Sequence, residues 1–461
     1  MRELLVFVLF FSLLSCGNRS TVQQANTPAF SLKDVQYRSF LYFRETADST
    51  TTLIPDRWPT PSFSSIAAQG FGYAAWIVGI ENGWVSREEA AEWILKSLRY
   101  FRDLPQGPQP EGMAGYKGFF YHFLDMKTGR RFQQVELSSI DTGLLMAGIL
   151  TCMTYFDGDN PTEAEIRKLA EELYRRVEWD WMYDKEKQAL SMGWHPEKGF
   201  IPSWWNGYNE AMVLNIMAMA SPTHPIPAEA WKGWTKTYLW DDFMSFAHVN
   251  FGPLFGHQYS HMFIDFRGIQ DEYMRSKGID YFENSRRATL SNRAYCLSVG
   301  DKFPHYNDSV WGLTACDGPK DTVVMKNGKE LHFMGYSARG VSANYLVDDG
   351  TIAPTAAGGS IPFAPDECIG ALRGMYHTYG SRLYGKYGFK DAFNPLFSYG
   401  KGNESGWFDV DYLGIDQGPF VLQIQNYENG LIWDILKKNR YIVEGLRKAG
   451  FTGGWLEQTK L

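Results

Sequence analysis

Apolar positions recur along this chain in two styles. In the first they form one stripe at helical spacing, with charged residues around the rest of the circumference. The stretch 162–184 shows it: Ile166, Leu169, Ala170, Leu173 and Val177 share a face, and Glu, Lys and Arg fill the others. Thr162-x-x-Glu165 opens it as a capping box, and Ser86-x-x-Glu89 opens 86–104 likewise. The stretches 33–48, 227–238, 280–300 and 431–449 read the same way, as helices with one wet face. The second style has almost no polar face. The stretches 64–82, 138–156, 206–221, 256–269, 363–385 and 416–430 are rich in Gly, Ala, Met and aromatics, which predicts helices enclosed on most sides.

Enclosed and outward-facing helices largely alternate, six of one and about six of the other. That division predicts an all-α fold, an (α/α)6 toroid with an inner ring inside an outer one. The chain shows no sequence repeat, so the pattern is one of type and not of identity. Small β-hairpin excursions interrupt the helices. Phe119 to Gln134 reads as a hairpin around Lys127-Thr128-Gly129, and Thr322 to Phe333 as one around Asn327-Gly328. Both are predicted to project as flaps from the rim.

The N-terminus changes the picture of location. Met1-Arg2-Glu3 precedes a short apolar run from Leu4 to Leu14, and Ser15-Cys16-Gly17 follows. A basic residue, a run too short to span a bilayer and a small residue before Cys16 predict a signal peptide over 1–15. Cys16 is then the lipidation site of a lipoprotein, and the polar stretch 16–30 its tether. One catalytic domain over 31–461 is expected, held at the outer membrane, in the periplasm or on the cell surface, as a monomer that meets the membrane only through its lipid. A net charge of −7 argues against a broad nucleic-acid surface. Four further cysteines match no zinc motif, and Cys296–Cys316 is the one pairing the compartment makes worth testing.

Aromatics make up 16% of the chain, and they collect beside carboxylates in the segments that open the enclosed helices. Flat rings beside carboxylates and amides suit carbohydrate, since rings cover the apolar faces of sugars and polar groups hold the hydroxyls. Glycoside hydrolysis needs two carboxyl groups, one of them protonated. Glu210 fits the proton donor: it follows Trp204 and Trp205 at the start of an apolar helix with no cationic neighbour in sequence. Asp141, Glu136 and Asp416 are candidates for the second carboxylate, and each also suits a helix cap or first turn. Trp58, Trp205 and Trp407 are candidate sugar platforms. Arg57, His257, Gln258 and Glu367 are candidate hydroxyl ligands. His257, His261 and Asp265 share helical spacing, but pocket lining suits them better than a metal, so neither metal nor cofactor is expected.

Ser138-Ser139-Ile140-Asp141-Thr142-Gly143, Trp205-Asn206-Gly207-Tyr208-Asn209-Glu210 and Gly256-His257-Gln258-Tyr259-Ser260-His261 together resemble glycoside hydrolase family 144, the glucoamylase-like domain family of Bacteroidetes lipoproteins. The resemblance continues through Ala364-Pro365-Asp366-Glu367 and Tyr412-Leu413-Gly414-Ile415-Asp416-Gln417-Gly418-Pro419, covering the chain after the tether. It implies an (α/α)6 fold and hydrolysis of β-1,2-glucan or sophoro-oligosaccharides with inversion. Glu210 would be the acid and Asp141 one candidate for activating water. Two other readings use the same residues: a surface glycan-binding lipoprotein without catalysis, and a polysaccharide lyase on the same fold.

Overall fold

A computed structural model describes residues 29–326 and 328–459. The expected signal peptide 1–15, the expected lipidation site Cys16, the expected tether up to residue 28 and Asn327 of the second hairpin lie outside the described residues. The chain is helix-rich, with many strands of two to five residues between the helices. No described helix is long and apolar enough to cross a membrane.

Helix Ile66–Glu81 packs against Ser139–Tyr155, and that helix against Met212–Ala220. Contacts continue to Tyr259–Phe263 and Gly414–Asn429, which returns to Ile66–Glu81. Most residues of these helices are buried, as their charge-poor sequences predict. The first two meet so closely that only glycine fits: a Cβ on Gly148 would lie 2.1 Å from the Gly70 carbonyl oxygen, and one on Gly70 2.2 Å from that of Leu144. Charged helices lie outside them. Leu32–Glu45 covers Gly414–Asn429, Arg87–Asp103 and Pro161–Arg175 cover the Ile66–Glu81 and Ser139–Tyr155 pair, and Arg440–Lys448 covers Met212–Ala220.

Several boundaries differ from the sequence expectation. Helix Pro161–Arg175 is capped by Asn160, whose side chain accepts from the Glu163 amide, and not by Thr162, because Pro161 suits the first turn. Ser86 does cap its helix through the Glu89 amide. The stretch 256–269 is a 3-10 turn, Leu254–His257, followed by five helical residues. Helix Pro365–Tyr379 keeps an exposed side, and the enclosed segment before it is the short helix Pro354–Gly358, all of it buried. Cys296 and Cys316 are both free and buried, so the pairing does not form.

The 119–134 segment is no flap. Phe119–Tyr121 sits inside a five-stranded antiparallel sheet, between Gly115–Tyr116 and Leu137–Ser138, with Gly193–His195 and Gly199–Phe200 beyond. The pairing Phe120↔Ser138 lays His122 alongside Glu136, whose carbonyl accepts the His122 amide at 2.9 Å. The second hairpin forms as expected, Thr322 opposite Phe333, with Val323 and Met325 exposed.

Candidate active site

The starts of three enclosed helices converge on one cleft of about 190 Å³. Glu210, Asp141 and Asp416 all line it, with Ile140, Leu144 and Leu413 as apolar wall. Phe255, Tyr259 and Tyr336 add rings to the lining.

Asp141 is placed by the sheet. Strand Leu137–Ser138 runs directly into helix Ser139–Tyr155, and the Ser138 hydroxyl caps it by accepting the Asp141 amide at 3.2 Å. The same hydroxyl donates to Asp141 Oδ2 at 2.5 Å. The capping role and the site role therefore coexist in one residue. His122 Nε2 lies 3.6 Å from Asp141 Oδ1, and its Nδ1 lies 2.8 Å from Glu136 Oε1. Burial alone would lower the His122 pKa, but the Asp141 and Glu136 carboxylates outweigh it and raise it to about 9. The imidazolium is thus a fixed positive charge between two carboxylates. Burial pulls the Asp141 pKa up against that charge, whereas the His122 bond holds Glu136 below its usual range despite burial. Glu136 does not itself line the cleft; it orients His122, which does.

Glu210 stands in the turn before Met212–Ala220. The Ser260 hydroxyl donates to the Glu210 carbonyl at 2.7 Å and accepts the Val213 amide at 3.0 Å, so the neighbouring enclosed helix fixes this turn. Among the described residues no cation and no side-chain donor meets its carboxyl. Burial, with the Asp141 charge adding to it, raises the Glu210 pKa to about 7. Asp416 lies in the first turn of Gly414–Asn429, and burial raises it to about 7 as well. Tyr259 lines the same cleft, and burial, with the charges of Asp416 and Glu210 adding to it, pushes its hydroxyl pKa well up.

Other sequence candidates lie elsewhere. Trp205 is buried and its Nε1 donates to Ser139 Oγ at 2.8 Å, so it braces the start of the Asp141 helix and offers no free face. His257 is fully buried beneath Tyr208, ring centroids 4.7 Å apart, with Nε2 3.2 Å from the Phe251 carbonyl oxygen; it is not at the mouth. Gln258 is buried and donates to the Ala356 carbonyl and Ser360 Oγ. Glu367 is a half-buried first-turn residue of Pro365–Tyr379 that does not line the cleft. Trp407 packs against Cys316, Ala353 and Ala392. Trp58 stays half-exposed outside the lining, its ring edge-on to Tyr387 at 5.1 Å. Arg57 stands behind Asp416, gripped by Asp317 at 2.5 Å, Asp56 at 3.2 Å and Asp411 at 3.8 Å. His261 bonds Ser285 while Asp265 bonds Arg267 and Lys437, so the spaced His257, His261 and Asp265 side chains serve separate partners.

Sequence reasoning missed His122, Tyr259 and Tyr336. His122 follows a strand that reads as a flap, and the residues it joins come together only through sheet register. Tyr336 comes from the loop after the second hairpin, where nothing local ties it to the cleft.

The Glycoamylase family model, described as "Putative glucoamylase", matches residues 202–440. A crystal structure of a "putative glucoamylase" from Bacteroides uniformis is 34% identical, with 93% of this chain and 99% of that one covered at a TM-score of 0.80. An endo-β-1,2-glucanase from Chitinophaga pinensis, in complex with sophorotriose and glucose, is 28% identical over 93% of this chain and 100% of that one, TM-score 0.77. The exo β-1,2-glucooligosaccharide sophorohydrolase of Parabacteroides distasonis is 28% identical over 449 residues, 90% of this chain. The chain spans 57% of that relative's length.

Proposed function

Because the chain belongs to the Glycoamylase family, we propose that it is a glycoside hydrolase cleaving β-1,2-linked glucose chains with inversion, on an (α/α)6 scaffold. The observation that carries the proposal is the Glu210 carboxyl, half-buried in the wall of the cleft without a counter-charge and sharing that cleft with two further carboxyls. A carboxyl with a pKa of about 7 keeps its proton at neutral pH and can deliver it to a departing glycosidic oxygen. Asp141 is committed to Ser138 and His122, so its part is to keep negative charge beside Glu210 and favour the protonated acid. Asp416, on the other helix start, is the base that takes a proton from water on the opposite face of the sugar; its pKa of about 7 leaves it partly ionised at neutral pH, and the Arg57 charge favours that form. Inverting enzymes keep acid and base roughly 6.5–9.5 Å apart to admit that water. The circuit of enclosed helices inside charged ones supports the toroid reading.

Two of the similar proteins, an endo-β-1,2-glucanase and an exo β-1,2-glucooligosaccharide sophorohydrolase, are named for β-1,2-linked glucose chains, which supports that linkage here. Phe255, Tyr259 and Tyr336 supply the rings of the cleft and are the sugar-facing aromatics in this reading. For location, the lipobox-like Ser15-Cys16-Gly17 supports a lipid-anchored domain in the periplasm or at the cell surface. The test is incubation with β-1,2-glucan and proton NMR of the first anomer released. The α-anomer is expected from the wild type. E210Q and D416N are each expected to lose at least about 100-fold in kcat while folding normally. A β-anomer first, or an active E210Q, overturns the assignment.

A further inference from the structure

Behind the Asp416 wall, three carboxylates from three chain segments meet. Asp317 follows strand Ala315–Cys316, Asp391 follows Gly388–Phe389, and Asp409 follows Trp407–Phe408. Each offers an oxygen within 4.8 Å of those of the other two. Backbone bonds hold the segments in place: the Asp317 amide donates to Asp391 Oδ2 at 2.7 Å, and the Asp409 amide to the Ala392 carbonyl at 2.9 Å. Asp391 and Asp409 are only 1% and 6% exposed. Yet Asp391 Oδ1 and Asp409 Oδ2 have no hydrogen-bond partner among the described residues. The Asp416 carboxyl meets Asp391 in an acid–acid hydrogen bond, which needs one shared proton and brings no donor to Asp409 Oδ2. No Lys or Arg among the described residues forms an ion pair with Asp391 or Asp409, since Arg57 is taken by Asp56, Asp317 and Asp411. Buried carboxylates without donors are costly unless they hold protons or meet a cation: with no ion, burial and mutual repulsion push the Asp391 pKa well up and that of Asp409 to about 8, and a bound cation would reverse both.

We propose that Asp317, Asp391 and Asp409 form a binding site for a calcium-sized divalent cation next to the catalytic cleft. Three oxygens within 4.8 Å of one another can share one ion, and the choice of calcium follows from the donor set. All the donors are hard oxygens, and calcium accepts irregular sets of six to eight, with water completing the shell. Asp317 is the least buried of the three, its side chain 16% exposed, and gives the ion its way in. Such an ion would tie the loops after residues 316, 389 and 408 together behind Asp416 and Arg57. It is independent of the reaction proposed above, and its test does not need substrate.

The test is calorimetric titration of the chelator-treated full chain with calcium and with magnesium, alongside thermal unfolding. Saturable calcium binding, tighter than magnesium, with a rise in Tm is expected. D409N and D391N should each lose the binding and the rise. Should a buried variant fail to fold, D317N serves instead, because its side chain is partly in solvent, and it should weaken calcium binding at least tenfold. Absence of calcium binding in the wild type, magnesium binding as tightly as calcium, or calcium binding unchanged in the variants that fold overturns the proposal.

Discussion

Glu210 holds its proton at a cost to the fold. A carboxyl whose pKa rises from 4.5 to about 7 on folding stabilises the chain less as pH climbs, because the folded state resists the charge. The difference is fully absent below pH 4.5, grows between 4.5 and 7, and levels off near 3 kcal/mol above 7, about 1.4 kcal/mol per pH step. E210Q should therefore be more stable than wild type at pH 8 and equal to it near pH 4, read from urea unfolding at the two pH values. D141N removes the negative charge that supports the Glu210 proton, so the basic limb of the kcat profile should move to lower pH while a bell shape remains. A basic limb that stays put would remove Asp141 from that role. Glu210 was legible in sequence because it is the one acidic residue in an apolar run. His257 and Gln258 misled because the sequence shows their polarity but not their depth: backbone carbonyls and Ser360, inside the protein, satisfy them.

Among the elements, the glycine contact between Ile66–Glu81 and Ser139–Tyr155 sets how near the Asp141 helix stands to its neighbour. G70A would force a methyl group against the Leu144 backbone, which cannot turn aside as a side chain can. A loss of roughly 1–3 kcal/mol is expected, measured as a lower urea midpoint, with a fall in kcat from displacement of Asp141. Enclosed and wet-faced helices were readable from charge alone, since a helix without charged residues has no face for water. The stretch 363–385 departs from that reading: Arg373 of helix Pro365–Tyr379 lies on an exposed side. The sheet was not readable because its strands are two or three residues long and pair across distant loops. Register, not local pattern, brings Tyr121 beside Leu137 and so His122 beside Glu136.

For the whole molecule, the order of segments around the cleft explains how residues 141, 210 and 416 come to face one space. Each stands at or just before the start of an enclosed helix, and those helices pack in sequence order until the last returns to the first. The chain's alternation of helix types made this geometry foreseeable, and it made the starts of the enclosed helices the place to search. It did not reveal the depth of aromatic packing. Trp205 and Trp407 are occupied by the protein itself, so the rings left to a ligand come from Phe255, Tyr259 and Tyr336.

The bound state of Arg57 has a further consequence. With Asp56, Asp317 and Asp411 already on its guanidinium, and Glu136 and Asp141 on His122, neither cation is left to greet an incoming anion. On the proposed reading, the cleft suits a neutral chain, because a uronate, sulfated or phosphorylated one would meet the Asp141 and Asp416 carboxyls with both of these cations already engaged. Turnover of the neutral chain should scarcely change as salt is raised, and any residual cleavage of a carboxylated analogue should improve with it as the repulsion is screened.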